Sequence, residues 1–326
     1  MPSTIDDKRL DAFVSLSLSR PGQLQNIDYD PIVNGTRTAA IITVYIALSA
    51  SVDLYNRYIW STLEFPYPVV LVTSQLVVTA LGSTVYLQLV DVDSAHLQTR
   101  TRMSRGIFLR CVVPIGILFS GSLLLSNQAF LHLSVCWIQI PEAFVPVAVL
   151  FARIPVRDAS RVFAIILMVS FGVAVASYSS SYALRIFDML GFGMQALAVM
   201  FEASRLVMLE ILLHETKIHP LVALQYSASV RAVFTLIVLA FTEGLDPFLA
   251  LPWVLLGNAL LAFGMNIAAM YLIDVASGLV LTLAGVLKDI LLFTSSALMF
   301  GEPISGIQVV GYSIAFGGLV LYNIAK

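Results

Sequence analysis

The chain has 326 residues, of which 59% are hydrophobic and only 12% are charged, and its mean hydropathy is +0.90. Soluble domains are about 45–50% apolar and about 25% charged, so this composition excludes a soluble enzyme and indicates a polytopic membrane protein. The formal net charge of −2 excludes a nucleic-acid-binding protein, because such proteins need a basic surface.

Residues 1–37 predict a polar cytosolic tail without the apolar core of a signal peptide. The two cysteines, Cys111 and Cys136, lie inside apolar stretches, and the four histidines form no cluster. We therefore expect no disulfide framework, no metal and no other cofactor. The sequence contains no Walker phosphate-binding loop, which excludes ATP-driven transport.

Ten apolar stretches follow the tail, each near the length of about 20 residues that a helix needs to cross a bilayer core. They predict ten transmembrane helices at roughly 38–60, 67–90, 107–129, 132–153, 159–181, 187–212, 219–241, 250–273, 276–299 and 305–324. Short polar corners join the third to the fourth and the eighth to the ninth. The predicted fold class is all-α, a polytopic membrane protein.

Lysine and arginine are concentrated in the tail and in the loops after even-numbered helices. Those loops hold Arg100, Arg102, Arg105, Arg153, Arg157 and Lys217, whereas the loops after odd-numbered helices hold only Arg185. Because short cytoplasmic loops carry the excess of basic residues, both termini are predicted to face the cytosol.

Ten helices divide into two five-helix halves, 38–181 and 182–326, and an odd helix number per half forces the halves into opposite orientations. Asn127-Gln128-Ala129 near the end of the third helix resembles Asn266-Ile267-Ala268 in the eighth. Inverted repeats of this kind are typical of secondary transporters, whose site lies at the midplane between the halves. The sequence therefore predicts two inverted five-helix repeats.

Ionisable residues inside the predicted helices are the candidate site, because a charge within a membrane is costly and needs a partner. Those near the predicted midplane are three acids and three bases, namely Glu142, Glu202, Asp289, Arg205, Arg231 and Lys288. This balance fits a switch in which internal ion pairs break when the substrate arrives. It fits equally a substrate that is less anionic.

Spacing predicts how these charges are partnered. Glu202 and Arg205 are three residues apart and can neutralise one another on one helix face. Lys288 and Asp289 are neighbours about 100° apart around the helix, so they are predicted not to share a face. Lys288 is expected to reach Glu142, a substrate anion, or both in alternation. Arg231 has no carboxylate one turn away in its own helix, so its partner should come from another helix or from a ligand.

Several of these segments resemble the triose-phosphate/nucleotide-sugar transporter family of the drug/metabolite transporter superfamily, over roughly residues 38–324. The matching stretches are Leu-Tyr-Asn-Arg-Tyr-Ile at 54–59, Phe-Pro-Tyr-Pro at 65–68, 133–147, 202–207, 311–323, and Leu-Lys-Asp at 287–289 followed by Phe-Gly-Glu-Pro at 300–303.

The resemblance implies antiport of a nucleotide sugar or sugar phosphate against a nucleoside monophosphate or phosphate. It implies that Lys288 contacts the substrate phosphate and that Arg205 is a family arginine. Triose-phosphate carriers have arginine where this chain has Asp289, so the chain looks like the branch of Golgi and ER carriers. The implied partners are the phosphorylated or nucleotide-linked sugar and the lipid bilayer, and a homodimer is one compatible assembly.

The chain departs from the family pattern at one place in the predicted site. Pro141-Glu142-Ala143 stands where the family commonly has Leu-Lys-Ala, so an anion replaces a cation and a helix-kinking proline is added. The predicted substrate-binding residues are Lys288, Arg205, Arg231, Glu142 and Asp289. Two other functions stay open: a drug/metabolite-type exporter of a non-phosphorylated metabolite, and a scaffold or regulator that has lost transport.

Overall fold

The computed structural model describes residues 31–91, 105–133, 135–153, 160–178, 188–216, 218–244, 246–300 and 305–325, and within these ranges the chain is helical and contains no strand. The helices are α1 (Pro31–Ser61), α2 (Pro68–Asp91), α3 (Arg105–Ile107), α4 (Val113–His132), α5 (Val135–Glu142), α6 (Val145–Arg153), α7 (Ser160–Tyr178), α8 (Met189–Thr216), α9 (Pro220–Thr242), α10 (Pro252–Val275), α11 (Gly278–Phe300) and α12 (Gly306–Ala325). A π-helical turn, Phe108–Val112, joins α3 to α4, and a 3₁₀ turn, Asp246–Leu249, precedes α10.

A helix, or consecutive helices, lies at each of the ten predicted positions. Among the described residues, five stretches are long and apolar enough to cross a membrane: Thr36–Trp60, Pro68–Leu89, Arg105–Ala129, Pro220–Thr242 and Pro252–Val275. Three shorter apolar helices, Trp137–Ala152, Val162–Ser177 and Gly306–Tyr322, accompany them. The chain is thus an all-helical, multi-pass membrane protein, and its number of crossings stays a prediction.

The first helix begins earlier than predicted, at Pro31 instead of residue 38. Proline is favoured in the first turn of a helix, where its missing N–H would have no partner and its fixed φ already suits the helix. The predicted polar tail therefore contributes its last residues to α1. Its residues 1–30 lie outside the described part of the chain.

The predicted fourth helix is two helices, since α5 ends at Glu142 and α6 begins at Val145. Pro141 lacks an N–H and its ring crowds the preceding turn, and Phe144 N donates to Pro141 O over 2.9 Å in a turn. Pro146 lies in the first turn of α6, where proline is tolerated. The prediction of one kinked helix over 132–153 was wrong, and the break leaves Glu142 at a helix end.

The helices group into two compact units, and each unit takes helices from both halves of the sequence. The first comprises Met1–Ser120 and Met208–Ser277. In it, α2 packs along α9 and α10, and α1 packs along α10. The division of the sequence at 181/182 into two repeats stays a prediction, because packing units and sequence repeats are different partitions.

The second unit comprises Gly121–Val207 and Gly278–Lys326, and its closest helix pair is α7 with α12. A Cβ added at Gly172 would lie 2.6 Å from Ala315 N and 2.7 Å from Gly311 O. One added at Gly311 would lie 2.6 Å from Gly172 O. Backbone meets backbone here, as small residues allow in membrane helix pairs. In the same unit α5 and α6 pack on α7, and α11 packs on α6 and α12.

Candidate functional site

The break between α5 and α6 places Glu142 in a hydrogen-bonded chain of three side chains within the second unit. Gln195 Nε2 on α8 donates to Glu142 Oε1 over 3.1 Å, and Ser126 Oγ on α4 donates to Gln195 Oε1 over 3.0 Å. Gln195 is fully buried, whereas the side chain of Glu142 is exposed. A buried amide therefore holds one oxygen of an accessible carboxylate.

Glu202 and Arg205 form the ion pair that their spacing predicts. Arg205 Nε donates to Glu202 Oε2 over 2.8 Å, and Arg205 Nη2 donates to Glu202 Oε1. The arginine side chain is 11% exposed and the glutamate 30%. This two-pronged contact confirms that the two residues neutralise one another, so the cation predicted to assist substrate binding already faces an acid of its own helix.

Lys288 and Asp289 also form an ion pair, with Lys288 Nζ 3.2 Å from Asp289 Oδ1. The prediction that these neighbours cannot meet was wrong. Their Cβ atoms do diverge around the helix, but the four-methylene chain of lysine is long and flexible enough to bring its ammonium group to the neighbouring carboxylate. The side chain of Lys288 is 14% exposed and that of Asp289 is 52% exposed.

Both pairs interact electrostatically with Glu142, because the charges of Asp289, Glu202 and Lys288 are close enough to act on its carboxylate. Asp289 is in turn within range of Tyr312 on α12. The second unit thus holds a charged cluster of three acids and two bases, namely Glu142, Glu202, Asp289, Arg205 and Lys288. The structure brings together four of the five predicted site residues here, and their contact with substrate stays a prediction.

Arg231, the fifth predicted site residue, belongs to the first unit and is 6% exposed. Its Nε donates to Ser227 O over 3.3 Å, and its guanidinium carbon lies 5.1 Å from the centre of the Phe119 ring. A cation over an aromatic face is attracted by the ring. The sequence left two sources for a partner of Arg231, another helix or a ligand. The Phe119 ring lies on α4, so this partner comes from another helix.

Sequence reasoning missed the polar side chains that hold the charged ones. Gln195 precedes Glu202 by seven residues, two helical turns, so both lie on one face of α8, and that spacing could have revealed it. In the first unit, Gln75 Nε2 donates to Asn258 Oδ1 over 2.6 Å and Asn258 Nδ2 donates to Asn56 Oδ1 over 2.8 Å. These amides join α2, α10 and α1, and the only sequence signal was the presence of an amide side chain within each apolar run.

The sequence of the chain is similar to that of known proteins. The family model described as "Triose-phosphate Transporter family" matches residues 36–323. Two Arabidopsis thaliana proteins, each named a probable sugar phosphate/phosphate translocator, are 34% and 36% identical to it. The alignments cover 90% of this chain and 85% of the first relative, and 87% and 82% for the second.

A crystal structure that is 17% identical shares the fold, with a TM-score of 0.61 over 89% of this chain and 97% of the other. The family match spans nearly all the apolar helices, including the charged cluster and Arg231. Membership implies a membrane transporter and not an enzyme. The protein belongs to the triose-phosphate transporter family.

Proposed function

We propose that the protein is a secondary transporter that exchanges a sugar phosphate for phosphate. Its relatives named as sugar phosphate/phosphate translocators support the substrate class. The observation that carries the proposal is Lys288, a cation 14% exposed inside α11, paired with a half-exposed carboxylate that a phosphate can replace. A nucleotide-linked sugar presents the same phosphate chemistry and is the second substrate class that we test.

The Lys288–Asp289 pair explains how such a site can wait for substrate. A buried cation without a partner is strongly unfavourable, and Asp289 supplies that partner before the substrate arrives. A phosphate bears more charge and more acceptor oxygens than one carboxylate, so it can take over the Nζ–H donors of Lys288. The contact with Asp289 then breaks when substrate binds and forms again on release. Arg205 and Arg231 act as auxiliary cations in this proposal.

We further propose ten crossings arranged as two inverted five-helix repeats, alternating access, cytosolic termini and an ER or Golgi membrane. Support comes from the helices at all ten predicted positions and from the basic residues after even-numbered helices. Single cysteines placed in successive loops and labelled by an impermeant reagent test the topology. Labelling of two successive loops from the same side would contradict it.

One observation favours a different substrate. The charged cluster holds one acid more than bases, and a cluster of that sign repels an anion. An exporter of a non-phosphorylated metabolite therefore remains the second candidate function.

Exchange in proteoliposomes decides between the two. Vesicles are loaded with inorganic phosphate or a nucleoside monophosphate, and labelled sugar phosphates and nucleotide sugars are offered outside. We expect uptake that requires the internal load, is lost in Lys288→Ala and is partly kept in Lys288→Arg. Arg105→Ala, which removes an exposed cation from α3, serves as the matched control and should retain uptake.

Three results are informative. Uptake of sugar phosphates alone supports the first proposal, and uptake of nucleotide sugars alone moves the substrate class to those compounds. No uptake across the panel by protein shown to be folded would contradict transport of phosphate-bearing substrates and favour the exporter.

A further inference from the structure

Glu142 differs from the other two acids of the charged cluster in what it faces. Glu202 meets the guanidinium of Arg205, and Asp289 meets the ammonium of Lys288. Glu142 accepts its hydrogen bond from the neutral amide of Gln195. Protonating Glu202 or Asp289 would remove an ion pair, whereas protonating Glu142 would remove none of these contacts. Glu142 is therefore the acid of the cluster that can gain a proton at least cost.

The surroundings of Glu142 contain few other groups that titrate. Gln195 and Glu202 face it from α8, and Lys288 and Asp289 from α11, while Tyr312 on α12 lies near Asp289. Ser126 reaches it from α4 through Gln195. Residues 162–177 of α7, which packs on α5, include no titratable side chain. Within the described part of the chain, the groups that can set the proton balance of this cluster are therefore the ones already named.

Binding of a phosphate at Lys288 would add a further negative group near Glu142, beside Asp289 and Glu202. Protonation of Glu142 removes that repulsion and changes the side chain from an acceptor-only carboxylate into a group with one O–H donor. Its carbonyl oxygen still accepts from Gln195 Nε2, and its O–H can donate to a phosphate oxygen. By linkage, a substrate anion that favours the protonated form is itself bound more tightly when the proton is present.

We propose that Glu142 takes up one proton when the substrate anion binds, so that each phosphate-bearing anion, sugar phosphate inward and phosphate outward, crosses the membrane together with one proton. The proton comes from water on the side of entry, adds to a carboxylate oxygen, and returns to water on the side of release. The proposal requires water to reach Glu142, a residue that the protein leaves exposed. The inference rests on the proposed function, since it needs an anionic substrate at Lys288.

The test uses the full chain in proteoliposomes loaded with inorganic phosphate at constant internal pH. Sugar monophosphates keep a constant charge above their second ionisation, near pH 6, so the external pH is varied from 7 to 8.5. With the sugar phosphate that exchanges in the panel, we expect wild-type apparent affinity to fall up to about tenfold per pH unit, the limit for one coupled proton. Glu142→Gln keeps the shape and should change less than twofold.

A control variant and the wild type itself keep the inference testable. Glu64→Gln, which alters an exposed acid between α1 and α2, should retain the wild-type pH dependence. The wild-type pH dependence itself needs no variant to fold, and because the outgoing phosphate takes a proton by the same step, the exchange is expected to move no net proton. Wild-type uptake without pH dependence would overturn the inference, and so would wild-type pH dependence in Glu142→Gln. Absence of wild-type uptake would instead contradict the proposed function.

Discussion

Glu243 caps the start of a helix far from it in sequence, and its removal should measurably destabilise the first unit. Val69 N donates to Glu243 Oε1 over 3.0 Å, and Val70 N donates to Glu243 Oε2 over 2.8 Å. These amides open α2, and the first N–H groups of a helix have no partner within it. A carboxylate there also interacts favourably with the positive end of the helix dipole.

The cost of removing this cap follows from the two hydrogen bonds. A hydrogen bond to a charged group contributes about 1.5–3 kcal/mol, and the side chains of Val69 and Val70 are 2% and 0% exposed. Because Glu243 is only half-buried, water can replace part of the lost bonding. We therefore expect Glu243→Ala to cost roughly 2–4 kcal/mol, and Glu243→Gln, which keeps one acceptor oxygen, about half of that.

Thermal unfolding of the purified protein in detergent measures the effect. At roughly 2–4 °C per kcal/mol for chains of a few hundred residues, the midpoint of the alanine variant should fall by about 4–16 °C. Glu64→Gln removes a neighbouring exposed carboxylate for which no hydrogen bond is recorded, and it should leave the midpoint unchanged. An alanine variant as stable as the wild type, or one no worse than Glu64→Gln, would refute the capping argument.

Two other variants test packing and polar contacts by the same unfolding assay. Gly172→Leu should lower the free energy of unfolding by at least about 2 kcal/mol, because its Cβ would meet the backbone of α12 at 2.6 Å. Gly193→Leu, with nothing within 4 Å of its Cβ, should be tolerated. Equal losses of stability in the two variants would contradict the packing argument. Asn258→Leu should lower the free energy of unfolding by about 1–2 kcal/mol, because it breaks two interhelical hydrogen bonds. Asn266→Leu should lower it less, because the Asn266 amide donates to a carbonyl of its own helix. The reverse order would contradict a stabilising role for the interhelical amides.

Most of the helices could be predicted from the sequence because a bilayer demands long apolar stretches. Where the prediction was wrong, local chemistry decided. Pro31 extends the first helix, and Pro141 and Pro146 divide the fourth. A hydropathy profile averages over a window of residues, so it does not detect the effect of a single proline. The composition of the packing units could not be predicted either, because contacts between helices depend on small residues such as Gly172 and Gly311 rather than on overall apolarity.

The charged residues of the site were found because charge is rare in an apolar helix, but their pairing was only half predictable. The spacing of Glu202 and Arg205 determines their contact, since both side chains leave the same helix face. Spacing misled for Lys288 and Asp289, because the argument considered Cβ directions and not the reach of the lysine chain. The contact of Gln195 with Glu142 joins residues 53 positions apart, and no local pattern encodes such a pair.

The residues at positions 142 and 289 act on the same quantity, the charge around Lys288. With lysine at position 142 and arginine at 289, as the resemblance implies for triose-phosphate carriers, the cluster would hold a clear excess of cations and bind a dianion unaided. Glu142 and Asp289 each reverse a unit of charge and leave one acid in excess. Asp289 is offset by Lys288 at 3.2 Å, whereas the hydrogen bond that Glu142 accepts comes from the neutral amide of Gln195. Such a cluster can favour a phosphate dianion when the remaining acid is neutralised, and that requirement is why a proton should accompany the substrate.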